Sequence, residues 1–158
     1  MRYLIGIGNF SRADDGIGLR LIERVVEAGL DRGFEAVNLA DEGLRLLFYL
    51  HEGTEKIVIV DAVEMGLPPG EYRLFRPEDV ASTKETKRLT THESDILAIL
   101  DFARSLGYRL PPITILGIQP GDLGPCPELS PALRERFDIY LGAALDEVAK
   151  AASGASHK

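Results

Sequence analysis

The stretch KIVIVDAV, from Lys56 to Val63, is a nearly continuous aliphatic run that a single aspartate, Asp61, interrupts. Runs of this kind are typical of the centre of a parallel sheet, where helices cover both faces of the strand. Strand and helix patterns alternate along the chain on both sides of this run. The alternation predicts an α/β fold with a mostly parallel sheet.

Five strands and four helices are predicted from the pattern of apolar residues. The strands are Arg2 to Ile7, Phe34 to Leu39, Lys56 to Val63, Tyr72 to Phe75 and Ile113 to Ile118. The helices are Asp15 to Gly29, Leu44 to His51, a helix after the Thr90 and Glu93 capping box that Gly107 ends, and Ser130 to Val148. Only eight residues separate Val63 from Tyr72. A parallel crossover needs about a dozen or more, so the fourth strand is predicted to be antiparallel.

Length and composition predict one domain and exclude several classes of partner. The chain has 158 residues, of which 45% are hydrophobic, and we expect a single domain over residues 1–152 with a frayed tail over 153–158. A net charge of −7, with no basic cluster, argues against nucleic acid as a partner. No apolar run approaches the roughly 18 to 20 residues of a membrane span, so we expect a cytoplasmic protein without a membrane partner. A single cysteine, Cys126, cannot form an internal disulfide and is interpreted as a passive thiol.

The first strand runs into a glycine loop that partly matches a dinucleotide-binding fingerprint. Gly6 and Gly8 have the required spacing, but Ser11 stands where the third glycine belongs. Asp14 and Asp15 lie where a pyrophosphate would bind the helix N-terminus. The sequence therefore argues against nucleotide binding.

Two carboxylates are expected to meet at the carboxyl edge of the sheet. Asp15 follows the first strand, Asp61 ends the third, and in a doubly wound sheet the carboxyl ends of these strands are neighbours. Asp14 has a simpler interpretation, because acidic residues are favourable at the start of a helix.

His92, in the first turn of the third helix, is the third candidate. A helix N-terminus keeps imidazole neutral, which is the form that binds a metal, although a first-turn histidine is often only a polar surface residue. Asp15, Asp61 and His92 together offer carboxylate and imidazole ligands suited to nickel, zinc or cadmium.

Five short motifs, in order and at their spacing, resemble those of the hydrogenase maturation proteases, the endopeptidases that trim the C-terminus of the [NiFe] hydrogenase large subunit. They are Gly6-Ile7-Gly8-Asn9 with Asp14-Asp15-Gly16-Ile17-Gly18, then Val60-Asp61-Ala62, Thr91-His92-Glu93, Leu116-Gly117-Ile118-Gln119-Pro120 and Leu129-Ser130-Pro131. The resemblance covers about residues 3 to 145. It implies a three-layer α/β/α sandwich around a twisted, five-stranded sheet.

The resemblance also implies roles for individual residues. Asp15, Asp61 and His92 correspond to the family's metal-contacting and catalytic residues, with Asp15 in a position that is often Glu in relatives. Asp41-Glu42-Gly43 corresponds to a substrate-binding loop that often reads Asp-Gly-Gly. Glu42 is accordingly either a substrate contact or a solvated turn residue.

The implied activity is removal of the C-terminal extension of the large-subunit precursor. Nickel that is already installed in the precursor would be the recognition signal, so no tightly bound metal is expected in the free enzyme, which is expected to be a monomer. The family is often described as aspartic-type, and the residues leave open whether a metal-polarised carbonyl or a carboxylate-activated water carries the cleavage. The alternatives are a nickel-sensing chaperone that binds the precursor without cutting it and, third, a dehydrogenase.

Overall fold

The computed structural model describes residues 1–81 and 91–151, without the side chains of residues 80, 81 and 91–95. The predicted cap at Thr90 and the tail over 153–158 lie outside the described residues. The strands are β1 (Arg2–Ile7), β2 (Glu35–Ala40), β3 (Lys56–Ala62), β4 (Tyr72–Phe75) and β5 (Ile113–Ile118). The α-helices are α1 (Ile17–Glu27), α2 (Pro77–Ala81), α3 (Thr91–Ser105), α4 (Pro131–Arg134) and α5 (Phe137–Ala149). Two 3₁₀ segments, Ala13–Gly16 and Gly43–Tyr49, complete the described elements.

The five strands form one mixed sheet in the order β2-β1-β3-β5-β4. All neighbours are parallel except β4, which pairs antiparallel with β5. The antiparallel direction of β4, which the short connection before Tyr72 predicts, is therefore confirmed. With β3 in the centre, its aliphatic run is buried on both faces.

Side chains of alternating direction along β3 contribute to two separate cores, which confirms the three-layer arrangement. Val58 and Val60 pack on the face covered by α1 and α5. Ile57 and Ile59 pack on the opposite face, which α3 and the segment Gly43–Tyr49 cover. Since alternation continues along a strand, Asp61 belongs to this second face.

Helix α1 lies against the sheet through glycines. A Cβ on Gly18 would lie 2.3 Å from the Val60 carbonyl oxygen, and one on Gly6 would lie 2.6 Å from the Gly18 carbonyl oxygen. Neither position has room for a side chain. The glycines that resemble a dinucleotide fingerprint thus serve close packing of helix on strand.

Several predicted boundaries are wrong. The sequence predicts a short helix over residues 44–51, but the structure has a 3₁₀ segment, Gly43–Tyr49, in which Leu46 is the buried residue. The last helix is interrupted at Glu135 and Arg136, where the Arg136 side chain donates a hydrogen bond to the Gly70 carbonyl at 3.2 Å. Helix α2 lies between the fourth strand and the Thr90 cap, where the sequence pattern predicts no helix.

Two further details of the helices differ from the pattern. The first helix begins at Ile17, because Asp15 lies in the preceding 3₁₀ turn. Leu106, at helical spacing from Ile99 and Ala103, lies beyond the last residue of α3, Ser105, and is 57% exposed. Gly107, with φ of 91°, ends that helix as predicted, and the amide of Tyr108 donates to the Ala103 carbonyl. None of the described helices has the length and apolar character that crossing a membrane requires.

A buried ion pair joins the amino edge of the sheet to α5. The Lys56 ammonium, whose residue is 4% exposed, lies 3.2 Å from Glu147 Oε2 and donates to the Glu147 carbonyl at 2.6 Å. Thr114 donates its hydroxyl to the same carboxylate at 3.0 Å. Burial by itself would raise the pKa of Glu147, but these hydrogen bonds and the charges of Lys56 and Lys150 outweigh it and lower the pKa below its usual value.

We predict that alanine substitutions at two helical glycines, Gly18 and Gly142, change the free energy of unfolding in opposite directions. Gly18→Ala should lower the free energy of unfolding by about 2 kcal/mol or more, since the new methyl group meets the Val60 carbonyl. Gly142→Ala should raise it by about 1 kcal/mol, because a Cβ at Gly142 in α5 meets no atom within 4 Å. Urea denaturation of both variants measures the difference. Equal effects of the two changes would contradict the proposed contact.

We also predict a pH dependence from Glu147. Because its pKa is lowered in the folded state, its contribution to stability is present above its unfolded pKa of about 4.5 and is lost as the pH falls through the folded pKa. Glu147→Gln should therefore lose stability less steeply than the wild type between about pH 5 and pH 3. Glu52→Gln, at an exposed position, is the matched control and should keep the wild-type slope in urea titrations.

Candidate functional site

Asp15 lies in the 3₁₀ turn Ala13–Gly16, which we call the aspartate turn, between β1 and α1. The residue is 1% exposed. Its amide donates to the Arg12 carbonyl at 2.9 Å, and its carbonyl accepts from the Asn9 amide at 3.2 Å. Gly8, with φ of 145°, passes so close that a Cβ there would lie 2.0 Å from the Asp15 carbonyl oxygen. The backbone of Asp15 is therefore held tightly against the end of β1.

Asp61 is the next-to-last residue of the central strand and is fully buried. Its Oδ1 accepts a hydrogen bond from the Ala62 amide at 2.9 Å. The aspartate turn contacts β3 directly. The structure thus brings the two carboxylate-bearing segments to one edge of the sheet, as the positions of Asp15 and Asp61 at the ends of neighbouring strands predict.

His92 is the second residue of α3, and its side chain lies outside the described residues. The side chain of Ile99 in α3 packs against Gly43, which lies just beyond the end of β2. A Cβ added at Gly43 would lie 3.0 Å from Ile99 Cδ1. His92 precedes Ile99 by two helical turns, or about 10 Å along the axis. Helix α3 covers the face of the sheet to which Asp61 belongs, and His92 lies in its first turn.

The donor set at this edge is suited to a divalent cation of the borderline class. In the described part of the chain, no three His, Cys, Asp or Glu residues come together as metal ligands. The two buried carboxylates of Asp15 and Asp61 supply hard oxygen ligands, and an imidazole from α3 would complete a mixed set. Buried carboxylates at one site also favour a cation electrostatically.

Asp14 was interpreted from the sequence as an acidic residue that favours the start of a helix. In the structure its carboxylate instead binds a distant loop. Its carboxylate is fully buried and accepts four hydrogen bonds from the loop 119–130, at 2.7 to 2.9 Å. Three of the donors are backbone amides and the fourth is the Ser130 hydroxyl. Ser130 belongs to the motif Leu129-Ser130-Pro131, but the motif by itself does not indicate that Ser130 binds Asp14.

Gln119 is a second buried polar residue, and the sequence predicts no role for its side chain. Its side-chain oxygen accepts hydrogen bonds from the amides of Met65 at 2.7 Å and Leu67 at 3.2 Å. Its side-chain nitrogen donates to Glu64 Oε2 at 2.7 Å. Gln119 thereby fixes the chain that follows Asp61 and β3.

The loop Asp41-Glu42-Gly43 follows β2 at the same edge. Asp41 and Glu42 are exposed, and the Glu42 carboxylate lies 3.1 Å from the Arg45 guanidinium. This ion pair is compatible with a solvated turn and leaves both side chains accessible to a partner. Gly43 is the residue of the three that packs inward, against Ile99.

Two other features do not mark the site. A cavity of about 860 Å³ lies at the opposite, amino edge, next to the buried pair of Lys56 and Glu147. Cys126, partly buried, contributes its backbone carbonyl to the Ala13 amide. The carboxylate chemistry, and not cavity volume or the thiol, distinguishes the carboxyl edge.

Fold and site define an α/β protein with a pair of buried carboxylates at the switch point of a mostly parallel sheet. A profile of the HycI hydrogenase maturation protease family matches residues 19–147. This chain belongs to the hydrogenase maturation protease family.

Individual relatives agree with the family assignment. The hydrogenase expression/formation protein HupD of Rhodobacter capsulatus is 31% identical over 147 residues, which are 92% of this chain and 70% of that protein. The hydrogenase 3 maturation protease of Escherichia coli is 33% identical over 129 residues, which are 77% of this chain and 74% of that protein. The solved structure of the [NiFe] hydrogenase maturation protease HybD from Thermococcus kodakarensis superposes with a TM-score of 0.77 at 25% identity, covering 94% of this chain and 99% of that one.

Proposed function

We propose that this protein is the endopeptidase that removes the C-terminal extension of a [NiFe] hydrogenase large-subunit precursor after nickel insertion. Family membership supports a protease of hydrogenase maturation. The observation that carries the finer proposal is the placement of Asp15 and Asp61, both buried, on adjoining segments at the carboxyl edge. His92, in the first turn of α3, is the imidazole that the proposal adds to these two carboxylates.

Nickel enters this proposal as cargo of the precursor. Asp15, Asp61 and His92 recognise the installed ion, because carboxylate and imidazole ligands suit nickel. Three protein ligands leave coordination positions open, and the precursor fills these with its own ligands. The free enzyme then holds no tightly bound metal, and cleavage depends on the loading state of the substrate.

Cleavage requires that a water attack the scissile carbonyl and that the leaving amine receive a proton. One of the two carboxylates, Asp15 or Asp61, accepts the proton of the attacking water and then donates it to the leaving amine. The nickel ion of the substrate supplies Lewis-acid polarisation of the carbonyl. Asp41 and Glu42 are exposed beside this edge, and with Gly43 they form the loop that contacts the extended chain of the precursor.

We predict that Asp15→Asn, Asp61→Asn and His92→Ala each reduce processing by about 100-fold or more, the usual contribution of a general acid or base. The thermal midpoint should stay within about 4 °C, since each change is expected to alter stability by less than about 1 kcal/mol. The measurement is mass spectrometry of a nickel-loaded precursor after incubation with each variant.

The matched control is Cys126→Ser, which should process the precursor at the wild-type rate, because only its backbone is attached to the aspartate turn. Full processing by one of the three site variants would remove that residue from the mechanism. An unchanged precursor mass with wild-type enzyme, accompanied by stable binding, would instead support the nickel-sensing chaperone.

Removing metal from the enzyme and removing nickel from the precursor should affect cleavage differently. Treating the purified enzyme with a chelator should leave its activity intact once the chelator is removed, whereas a nickel-free precursor should not be cleaved. A chelator-resistant zinc in the purified enzyme, together with cleavage of the nickel-free precursor, would show a conventional metallopeptidase. Metal analysis and the cleavage assay on the same samples separate the two cases.

A further inference from the structure

Asp14 is a fully buried carboxylate that the proposed mechanism does not use. Its Oδ2 accepts hydrogen bonds from the Gly121 amide at 2.7 Å, the Asp122 amide at 2.9 Å and the Ser130 hydroxyl at 2.7 Å. Its Oδ1 accepts from the Ser130 amide at 2.7 Å. The loop 119–130 therefore surrounds the negative charge with donors.

The backbone of the aspartate turn is attached to the same loop. The Asp14 amide donates to the Asp122 carbonyl at 2.9 Å, so Asp14 and Asp122 are joined in both directions. The Ala13 amide donates to the Cys126 carbonyl, and the Arg12 side chain donates to the Leu123 carbonyl at 3.3 Å. Both sides of Asp14 are thus fixed immediately before Asp15.

The other end of the loop is attached to the chain that follows Asp61. Gln119, 3% exposed, accepts hydrogen bonds from the amides of Met65 and Leu67 through its side-chain oxygen. The Gly121 amide, two residues later, is already bound to Asp14. One short loop therefore connects the turn that carries Asp15 with the segment that follows the strand of Asp61.

We propose that Asp14 is a positioning residue, which fixes Asp15 relative to Asp61 by binding the loop 119–130. This inference rests on the proposed function, since it assumes that Asp15 acts in the cleavage. Charge-assisted hydrogen bonds are shorter and stronger than neutral ones, so four of them hold the turn in one geometry. Misplacement of a reacting group by about 1 Å can cost about 100-fold in rate.

A carboxylate is needed at position 14 because all four partners donate. An asparagine of the same shape can place its oxygen towards Gly121, Asp122 and the Ser130 hydroxyl, but its NH₂ group then faces the Ser130 amide. In the opposite orientation the NH₂ group faces the amides of Gly121 and Asp122, which cannot accept a hydrogen bond. Asp14→Asn therefore keeps the volume of the side chain and breaks the contact with the loop.

The experiment compares full-length Asp14→Asn and Ser130→Ala with Val148→Ala, which shortens a buried side chain in α5. Nickel-loaded precursor is cleaved at a temperature at which circular dichroism shows every variant folded. We expect kcat to fall about 100-fold in Asp14→Asn with little change in KM, as for a change felt in the transition state. Ser130→Ala, which removes one of the four donors, should fall between Asp14→Asn and the wild type.

Val148→Ala serves as the destabilised control and should keep the wild-type kcat. If Asp14→Asn keeps both the wild-type kcat and the wild-type KM while folded, Asp14 is a stabilising residue and the positioning role is wrong. A loss of kcat in Val148→Ala equal to that in Asp14→Asn would likewise overturn the proposal.

Amide hydrogen exchange gives a second readout that does not depend on cleavage. In Asp14→Asn, the Asp15 amide, which donates to the Arg12 carbonyl, and the Asn9 amide, which donates to the Asp15 carbonyl, should exchange faster. Amides within α5 should exchange at the wild-type rate. Unchanged exchange at Asp15 and Asn9 would overturn the proposal.

The two readouts separate failure of this inference from failure of the proposed function. If the wild type does not cleave the precursor, the proposed function is wrong, and hydrogen exchange alone decides whether Asp14 fixes the turn. If the wild type cleaves and Asp14→Asn matches it in both kcat and exchange, the proposed function stands and the positioning role is wrong.

Discussion

The direct contact between helix α1 and the sheet is the constraint on which the candidate site depends. At Gly6 and Gly18 no side chain separates helix from strand, and a Cβ on Gly18 would lie 2.3 Å from the Val60 carbonyl oxygen. The 3₁₀ turn that leads into this helix is consequently held against the end of β3. A side chain at either glycine would lift the helix and carry Asp15 away from Asp61.

Backbone strain is concentrated at the same edge. Ala13, directly before Asp14, has φ of 47°, and Ala40, at the end of β2, has φ of 54°. Such conformations cost about 1 to 3 kcal/mol each in residues other than glycine and persist only where the surroundings enforce them. The Ala13 amide is bound to the Cys126 carbonyl, and the Ala40 carbonyl accepts from the Gly8 amide at 2.9 Å. The edge is thereby held in one arrangement before any substrate arrives.

Buried charge is distributed differently at the two edges of the sheet. At the amino edge, Lys56 lies 3.2 Å from Glu147, so opposite charges compensate each other and tie α5 to β3. At the carboxyl edge the buried charges that the structure describes are all carboxylates, Asp14, Asp15 and Asp61. Amide donors surround Asp14, and Asp61 accepts a hydrogen bond from the Ala62 amide. One edge thus carries a compensated ion pair and the other a group of buried carboxylates.

The sequence by itself determined the five strands, the antiparallel direction of Tyr72–Phe75 and the position of the Asp15 turn beside the strand that carries Asp61. These features depend on local apolar patterns, on connection lengths and on the general rule that places strand ends side by side. The tertiary structure alone decided the roles of Asp14 and Gln119. The loop donors of Asp14 lie 107 to 116 residues further along the chain, and a single acidic residue before a helix has a sufficient local explanation. Pairing a buried charge with its donors is a property of the folded chain, because only folding brings distant amides to one carboxylate.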